Sequence, residues 1–409
     1  MFDNDLEEIF ICDPICFQQA GHNLAAIKRY SRYFQNKNIK TKIFVSRLLE
    51  KISNINLSKE TNFFYSHYYG SILSSRFTST DEKSKMIFDN CQDNNDQIIK
   101  DLALDELCQI ISESNKKNNI GIFFPSIDYY SLHALVDILE KNKFVNLPKI
   151  YIRWIGVMEN TFLNSNNIHP LLLCRRLGLL NKSNNLIQMR FSAEAKPYAR
   201  NLSLELKQEV ITTPTFIDED QKAFKDNNEC FTISFPGSGR IDKGFLRIRN
   251  ILLELESNYP ELEYKAYLQF MNADEFNHCY LETRELLKNN NIRCYPTAIS
   301  QKMLTEYIAN SDILVTPYDP KIYLYRSSAI MAEAACYGRQ VVSSADCGFS
   351  EELEELGVGK CAYNDKDFAS LIYYFNKISS IEMDALVKKA RSNYLNYLYS
   401  SYNNFFNIP

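Results

Sequence analysis

The chain has 409 residues, 45% of them hydrophobic, and is long enough for two or three soluble domains that each bury a core. Its formal net charge of -4 gives no general attraction to phosphate backbones, which argues against a nucleic-acid-binding protein. The sequence has no apolar run of the roughly 18–20 residues that span a bilayer. It also has no signal-peptide pattern at its acidic start and no Cys-x-x-Cys pair among its 11 cysteines, so we expect a cytoplasmic protein with reduced thiols.

Strand and helix patterns alternate along the chain, as in α/β proteins with parallel sheets. A charged passage, Asp218 to Glu229, separates two such series. We therefore predict a first lobe at residues 1–216, a second lobe at residues 217–385 and a C-terminal segment at residues 386–409. In the first lobe we predict strands at 8–12, 41–45, 121–125, 150–155, 186–191 and 209–214, and helices at 23–35 and 96–118. In the second lobe we predict strands at 230–235, 263–269, 292–295, 313–316 and 340–343, and helices at 245–257, 274–288, 301–310, 365–377 and 381–399.

Ligands of such sheets bind beyond the carboxyl ends of the strands, so the default site is a cleft between the two lobes. In the second lobe, the turn from Pro236 to Gly244 follows the predicted strand at 230–235 and precedes the predicted helix at 245–257. Its glycines, Gly237 and Gly239 among them, allow close backbone approach, and the helix start favours an anion. Arg240 and Lys243 add two cations. The combination predicts a diphosphate site, with a solvated basic turn as the alternative.

A second candidate site surrounds a helix of small residues in the second lobe. Glu333 is the one charge in the apolar run from Ala329 to Ala335, and a buried carboxylate needs a partner. Arg326, Ser327 and Ser328 stand at the start of this helix, where an anion is favoured. Arg326 precedes Glu333 by about two turns, so both share a face if the helix begins early. We predict that these residues bind a ligand; a serine N-cap and an internal ion pair between Arg326 and Glu333 are the alternatives.

The stretches GSGRIDKG and PYDPKIYLYRSSAIMAEAACYGRQVV resemble the donor-binding half of GT-B glycosyltransferases, most closely those of family 4, over about Cys230 to Gly348. The resemblance implies two Rossmann-like lobes and a C-terminal helix that crosses back to the first lobe. It also implies that Arg240 and Lys243 hold the leaving diphosphate of a nucleotide-sugar, and that Glu333 holds the ribose hydroxyls. The implied reaction transfers a sugar, with retention, to a glycan, lipid-linked or protein acceptor, as in polysaccharide biosynthesis.

The sequence departs from the family pattern in two ways, at one residue and in one spacing. Tyr325 stands eight residues before Glu333, where the family has an earlier glutamate that contacts the donor sugar. Arg240 and Lys243 are also closer together than in many relatives. The tyrosine leaves open a non-catalytic GT-B-like subunit that binds a partner or a glycan, and a sugar-nucleotide epimerase is a further alternative.

Candidate residues in the first lobe are polar groups near the ends of predicted strands. Gly21 and His22 occupy the place of the glycine loop that faces the donor phosphates in GT-B enzymes, although a histidine at a helix start is commonly a cap or a surface residue. Four further residues are candidates for contact with the acceptor, each with a structural role as the alternative: Asp128, His133, Arg153 and Glu194.

We expect neither a metal nor another cofactor, because Arg and Lys neutralise the leaving group in such sites. The acidic triplets Asp3-Asn4-Asp5 and Asp218-Glu219-Asp220 do not follow a strand as a GT-A metal site would require, and we interpret both as solvated surface. The expected partners are a nucleotide-sugar and a glycan or other acceptor, with no nucleic acid. Peripheral association with the inner face of the membrane is compatible with the resemblance.

Overall fold

The computed structural model describes most of the chain, in two compact units. Unit 1 comprises Met1–Glu194, Tyr198–Phe216 and Ser401–Pro409, and unit 2 comprises Ala195–Pro197 and Ile217–Ser400. The described residues are 6–16, 22–46, 61–64, 96–116, 119–141, 147–155, 170–183, 188–217, 230–236, 239–269, 285–286, 288–295 and 301–408.

Unit 1 is built on a seven-stranded parallel sheet in the order β3-β2-β1-β4-β5-β6-β7. Its central strands are apolar on both faces, because helices cover a parallel sheet from both sides. Ile11, Ile122 and Ile152 are fully buried there. The strands are β1 Glu8–Asp13, β2 Lys40–Ser46, β3 Thr61–Phe64, β4 Ile120–Phe124, β5 Lys149–Trp154, β6 Met189–Ala193 and β7 Val210–Thr212. The helices are α1 His22–Asn36, α2 Asp96–Ser114, α3 Tyr129–Glu140, α4 Pro170–Ser183 and α5 Lys196–Leu206.

Unit 2 is built on a six-stranded parallel sheet in the order β10-β9-β8-β11-β12-β13. Ile233, Val315 and Val342 of its strands share one core with Leu255 and Phe368 of the covering helices. The strands are β8 Phe231–Phe235, β9 Tyr264–Gln269, β10 Ile292–Tyr295, β11 Ile313–Thr316, β12 Gln340–Ser344 and β13 Gly359–Ala362. The helices are α6 Ile248–Asn258, α7 Gln301–Ala309, α8 Pro320–Tyr323, α9 Ala329–Tyr337, α10 Ser350–Glu355, α11 Asp365–Lys377 and α12 Ser380–Phe406.

The predicted α/β class, with one parallel sheet in each half, is confirmed, while several element bounds were wrong. The helix predicted from 245 starts at Ile248, because Gly244 adopts a left-handed conformation between two short 3-10 turns. The strand predicted at 186–191 is β6, which extends to Ala193 because its end pairs with β7. Strands β3 and β13 were not predicted. The helix predicted at 274–288 lies outside the described residues, apart from 285, 286 and 288.

The last helix, α12, begins in unit 2, and its residues from Ser401 onward belong to unit 1. The hydroxyl of Tyr402 lies 2.8 Å from that of Tyr30 on α1. The Phe406 ring packs edge-on against Phe34, with centroids 4.8 Å apart. Burial of these aromatic rings ties the end of the chain to the core of unit 1.

Candidate active site

The turn after β8 in unit 2 holds Arg240 and Asp242 as a bidentate pair. Arg240 Nε donates a 2.8 Å hydrogen bond to Asp242 Oδ1, and its Nη2 donates to Oδ2. Burial of Asp242 opposes its ionisation, but these hydrogen bonds and the positive charges of Lys243 and Arg326 lower its pKa below the ordinary value. Three cations therefore surround one carboxylate, and the Arg240 side chain remains 34% exposed. The turn carries an excess of positive charge that suits an anion.

Gly244 joins this turn to the loop that follows β11, the strand beside β8. Its φ is +73°, and a Cβ at this position would lie 1.8 Å from the carbonyl oxygen of Pro317. The Asp319 backbone N–H also donates a 3.0 Å hydrogen bond to the carbonyl oxygen of Asp242. Only glycine has both the conformation and the space for this contact. The cations after β8 are thereby fixed against the loop after β11.

Lys243 lies half-buried over the ring of Tyr318, with its Nζ 5.8 Å from the ring centroid. Burial, and then the neighbouring charge of Arg240, lower the pKa of Lys243 to about 8. The charge of Asp242 opposes this shift, but among the described residues the ammonium makes no ion pair, since Asp242 is paired with Arg240. A bound anion would stabilise the charged form of this lysine, so the ammonium is suited to receive one.

Arg326 completes the group of cations from the loop before α9. Its guanidinium stacks on Tyr323, 5.5 Å from the ring centroid, and its Nε is buried with no hydrogen-bond partner among the described residues. Gly348 packs closely against this loop. Its N–H donates a 2.7 Å hydrogen bond to the carbonyl oxygen of Tyr323, and a Cβ at this position would lie 2.8 Å from the carbonyl oxygen of Arg326. A buried donor without an acceptor is costly, and an anionic ligand would supply one.

Helix α9 begins at Ala329, so Arg326 lies before the helix. Arg326 and Glu333 would share a helix face only if the helix began earlier. Ser328 is its N-cap, and the Ser328 hydroxyl accepts a 3.2 Å hydrogen bond from the Met331 N–H. The N-cap alternative therefore holds for Ser328, whose side chain serves the helix. The other alternative, an internal ion pair between Arg326 and Glu333, stays a prediction. Glu333 itself is 3% exposed within α9.

Other predicted donor-site residues are only partly described. Gly21 and Gly237 lie outside the described residues, and His22 opens α1 without a described side chain. Gly239 is buried in the turn, and Ser327 is half-buried before α9. Sequence reasoning passed over Asp242, although its position two residues after Arg240 was the available signal.

Arg247 was also not predicted as a site residue, and its contacts hold the segment that follows the turn. Its Nε donates a 2.9 Å hydrogen bond to Asp365 Oδ1, and its Nη1 donates a 3.1 Å hydrogen bond to Ser344 Oγ. The guanidinium also lies 5.1 Å from the ring centroid of Phe368. These contacts connect the segment after the turn to β12 and α11, which makes Arg247 a structural residue of the site.

In unit 1, three of the four predicted acceptor-side residues come together at the carboxyl edge of the sheet. Arg153 Nε donates 3.1 Å to Thr213 Oγ1, and its Nη2 lies 4.0 Å from Glu194 Oε2. Asp128 caps α3 by accepting hydrogen bonds from the N–H groups of Tyr130 and Ser131. Their strands are adjacent in the sheet, so residues far apart in sequence become neighbours.

His133 lies apart from that group, on α3. Its Nδ1 is 3.8 Å from Asp137 Oδ1. Burial lowers the pKa of His133, although the charge of Asp137 opposes the shift. The interaction is within one helix, which is the structural alternative for this residue.

Asp13 at the end of β1 is a further member of the unit 1 group that sequence reasoning did not single out. It is 1% exposed, and burial together with the nearby charge of Asp128 raises the pKa of its carboxyl to about 8. Its Oδ1 has no hydrogen-bond partner within the described ranges. Its position as the last residue of a buried strand was the available signal.

Neither a metal-ligand cluster nor a membrane-spanning helix occurs among the described residues. Within those segments, no group of three or more His, Cys, Asp or Glu side chains is arranged to hold a metal ion. None of the described helices combines the length and the apolar character that a bilayer-spanning segment requires.

No protein-family model matches the sequence, and no curated protein sequence matches it. Solved structures do match. A glycosyltransferase from Rickettsia africae is 13% identical, with 99% of this chain and 96% of the other covered and a TM-score of 0.64. Sucrose-phosphate synthase from Thermosynechococcus elongatus is 10% identical over 98% and 96% of the two chains, with a TM-score of 0.62. Anabaena HepE, solved with UDP and glucose, is 10% identical over 98% and 99%, with a TM-score of 0.55.

These similarities extend over nearly the whole chain, and at such identities they show the fold alone. The predicted GT-B fold is confirmed, and assignment to family 4 stays a prediction.

Proposed function

We propose that the protein is a nucleotide-sugar-dependent glycosyltransferase that resembles family 4. The observation that carries the proposal is the group of three cations, Arg240, Lys243 and Arg326, at the carboxyl edge of the unit 2 sheet. Arg326 has a buried donor without a partner in the described structure, and Lys243 makes no ion pair among the described residues, since Asp242 is paired with Arg240. A diphosphate supplies the acceptors and the negative charge that these groups lack. The UDP complex of HepE, a protein of similar fold, supports a nucleotide as the source of the diphosphate.

In the proposed reaction the bond between the sugar C1 and the diphosphate oxygen breaks, and a bond from C1 to the acceptor oxygen forms. The departing phosphate oxygen takes the proton of the acceptor hydroxyl, so the sugar keeps its anomeric configuration. Arg240 and Lys243 stabilise the negative charge that develops on the diphosphate, and such electrostatic stabilisation commonly contributes most of the rate enhancement. Fixed cations can do this without a metal ion.

The nucleoside and the acceptor complete the proposal. Glu333, which is buried on α9, would accept hydrogen bonds from the ribose hydroxyls. Gly21, His22, Gly237, Gly239, Ser327 and Ser328 remain proposed as backbone or secondary contacts of the donor. Unit 1 would contribute the contacts to a glycan, lipid-linked or protein acceptor. A hexosyl donor, a role in polysaccharide biosynthesis and a location in the cytoplasm, at or near the inner face of the membrane, belong to the same proposal.

The proposal is tested by Arg240→Ala and Lys243→Ala, with Lys265→Ala as the matched control. Lys265 is an exposed cation of unit 2 on β9, away from the turn. Each turn variant should lower the rate of donor hydrolysis and sugar transfer by about 100-fold or more, as loss of one charge-stabilising donor does elsewhere. The control should leave the rate unchanged. Full rates in both turn variants would contradict the proposal.

Tyr325 supports a second candidate, a non-catalytic GT-B-like subunit. It stands where the family carries the glutamate that contacts the donor sugar, and a neutral phenol does not replace a carboxylate acceptor. Such a subunit would show neither hydrolysis nor transfer across a panel of nucleotide-sugars. Turnover of any one donor that depends on Lys243 rules it out.

A further inference from the structure

The carboxyl edge of the unit 1 sheet carries mostly acidic side chains. Asp13 ends β1, Asp128 follows β4 and Glu194 follows β6, while Arg153 at the end of β5 is the one cation among these four residues. All four are nearly buried: Asp13 is 1% exposed, Asp128 is 3% exposed and Arg153 is 6% exposed. The Glu194 side chain is 12% exposed. Three carboxyl groups and one guanidinium thus lie at the ends of four neighbouring strands.

Arg153 is already engaged by the protein. Its Nε donates to Thr213 Oγ1 at 3.1 Å, its Nη2 to Thr213 O at 3.3 Å and its Nη1 to Pro125 O at 3.2 Å. Glu194 lies 4.0 Å from the same guanidinium. An anionic ligand would have to displace these contacts and would meet the neighbouring carboxylates. The edge is therefore unfavourable for a phosphate or a carboxylate.

Asp13 differs from Asp128 in having an unused atom. Both Asp128 oxygens accept hydrogen bonds, Oδ1 from the Tyr130 and Ser131 N–H groups and Oδ2 from the Ser131 hydroxyl. Asp13 Oδ1 is buried and has no hydrogen-bond partner in the described part of the chain. Leaving a buried polar atom unpaired is costly, and a ligand group that pairs with it would remove the cost.

The chemistry of Asp13 indicates which group that is. Burial and then the nearby Asp128 raise its pKa to about 8, although backbone N–H groups of Ile15 and Cys16 and the charge of Arg153 act in the opposite direction. The carboxyl is therefore mainly protonated at neutral pH. A protonated carboxyl donates one hydrogen bond and accepts another, as a hydroxyl group does.

We propose that Asp13 binds a hydroxyl group of the acceptor, and that the acceptor group held there belongs to an uncharged sugar or polyol. The inference rests on the proposed function, because it names the acceptor class of that same reaction. It contrasts with the donor side, where unit 2 presents Arg240, Lys243 and Arg326 to an anion. Charge thus separates the two ligands: an anionic donor for unit 2 and a neutral hydroxyl acceptor for unit 1.

The test measures transfer from an active nucleotide-sugar to a panel of acceptors. The panel pairs uncharged compounds (glucose, maltose, glycerol) with charged counterparts (glucose 6-phosphate, glucuronate, glycerol 3-phosphate). The wild-type protein should use at least one uncharged member with kcat/KM at least about 10-fold above that of its charged counterpart. Transfer to none of the uncharged members, or a preference for the charged counterpart, overturns the inference.

Two variants address Asp13 directly. Asp13→Ala should raise the acceptor KM about 10-fold or more, as expected for one lost hydrogen bond in a buried site, with the Kd for the nucleoside diphosphate unchanged. Asp13→Asn keeps a donor and an acceptor and should retain the wild-type KM, so it preserves the test if the alanine variant fails to fold. An unchanged acceptor KM in Asp13→Ala, or a loss in both variants with equal loss of nucleotide binding, overturns the inference. If no nucleoside diphosphate binds the wild-type protein, the proposed function itself fails, and that result is distinct from the others.

Discussion

Gly244 offers a test of how the cationic turn is held, because Gly357 provides a matched control in the same unit. Both glycines have a left-handed φ, +73° at Gly244 and +71° at Gly357. A Cβ at Gly357 would have no heavy atom within 4 Å, whereas a Cβ at Gly244 would lie 1.8 Å from the carbonyl oxygen of Pro317. Replacing each by alanine therefore separates conformational strain from the steric contact.

The expected magnitudes follow from these two facts. Gly357→Ala should lower the free energy of unfolding by about 1–2 kcal/mol, the cost of a left-handed alanine. Gly244→Ala carries the same cost, and it also forces a backbone carbonyl to move, which typically adds about 1–3 kcal/mol. The loop after β11 should shift with it, so we expect weaker nucleotide binding in Gly244→Ala and unchanged binding in Gly357→Ala.

The assay is urea unfolding, followed by circular dichroism and by the fluorescence of Trp154. The chain contains one tryptophan, and it is buried in unit 1, so its signal is an internal reference. Trp154 fluorescence reports the unfolding of unit 1, whereas both glycines lie in unit 2. Gly244→Ala should therefore lower the urea midpoint of the part of the circular dichroism change that Trp154 fluorescence does not follow, and by more than Gly357→Ala does. Equal shifts in the two variants would refute the reasoning that the turn is locked against Pro317.

Two further predictions concern stability. Phe406→Ala should destabilise unit 1 by about 3–5 kcal/mol, because Phe406 is only 1% exposed and packs against Phe34. The control, Leu204→Ala, removes a side chain that is 76% exposed and should change the stability by no more than about 0.5 kcal/mol. Equal unfolding transitions of Trp154 fluorescence in the two variants would contradict this. Glu352 accepts a 2.9 Å hydrogen bond from the Tyr397 hydroxyl, and burial raises its pKa from 4.5 to about 7 despite that bond. Because the folded pKa is the higher one, stability should fall as pH rises from about 4.5 to 7, by at most about 3 kcal/mol. Glu352→Gln should remove this fall, and parallel stability curves of variant and wild type between pH 5 and pH 8 would count against it.

Much of the fold was predictable because parallel strands buried on both faces appear as apolar runs. The strands at 292–295 and 313–316 were predicted at the observed bounds for this reason. The start of α6 was not, since Gly244 takes its left-handed conformation to approach Pro317, a contact between residues far apart in sequence. The full length of α12 was missed because its last turns owe their burial to α1 rather than to a local pattern.

The candidate site was predictable to the extent that residue type and strand position define it. Arg240 and Lys243 stand out from charge and glycine alone. The bidentate bond from Arg240 to Asp242 requires the geometry of a 3-10 turn. The choice between a cap and a ligand for Ser328 required the position where α9 begins. Asp13 gains meaning only when the sheet order places β1 beside β4 and so brings it near Asp128.

The central claim is that the cations of unit 2 bind a nucleoside diphosphate, and titration calorimetry with UDP, GDP and ADP measures this directly. We expect at least one of them to bind the wild-type protein, with a Kd that rises at least about 10-fold in Lys243→Ala, the loss of one charge-assisted contact, and stays unchanged in Lys265→Ala. The affinity should also fall as pH rises through about 8, because the pKa of Lys243 in the ligand-free protein is about 8 and the neutral amine attracts the diphosphate less. Failure of all three nucleotides to bind, or binding that Lys243→Ala leaves intact, would contradict the account.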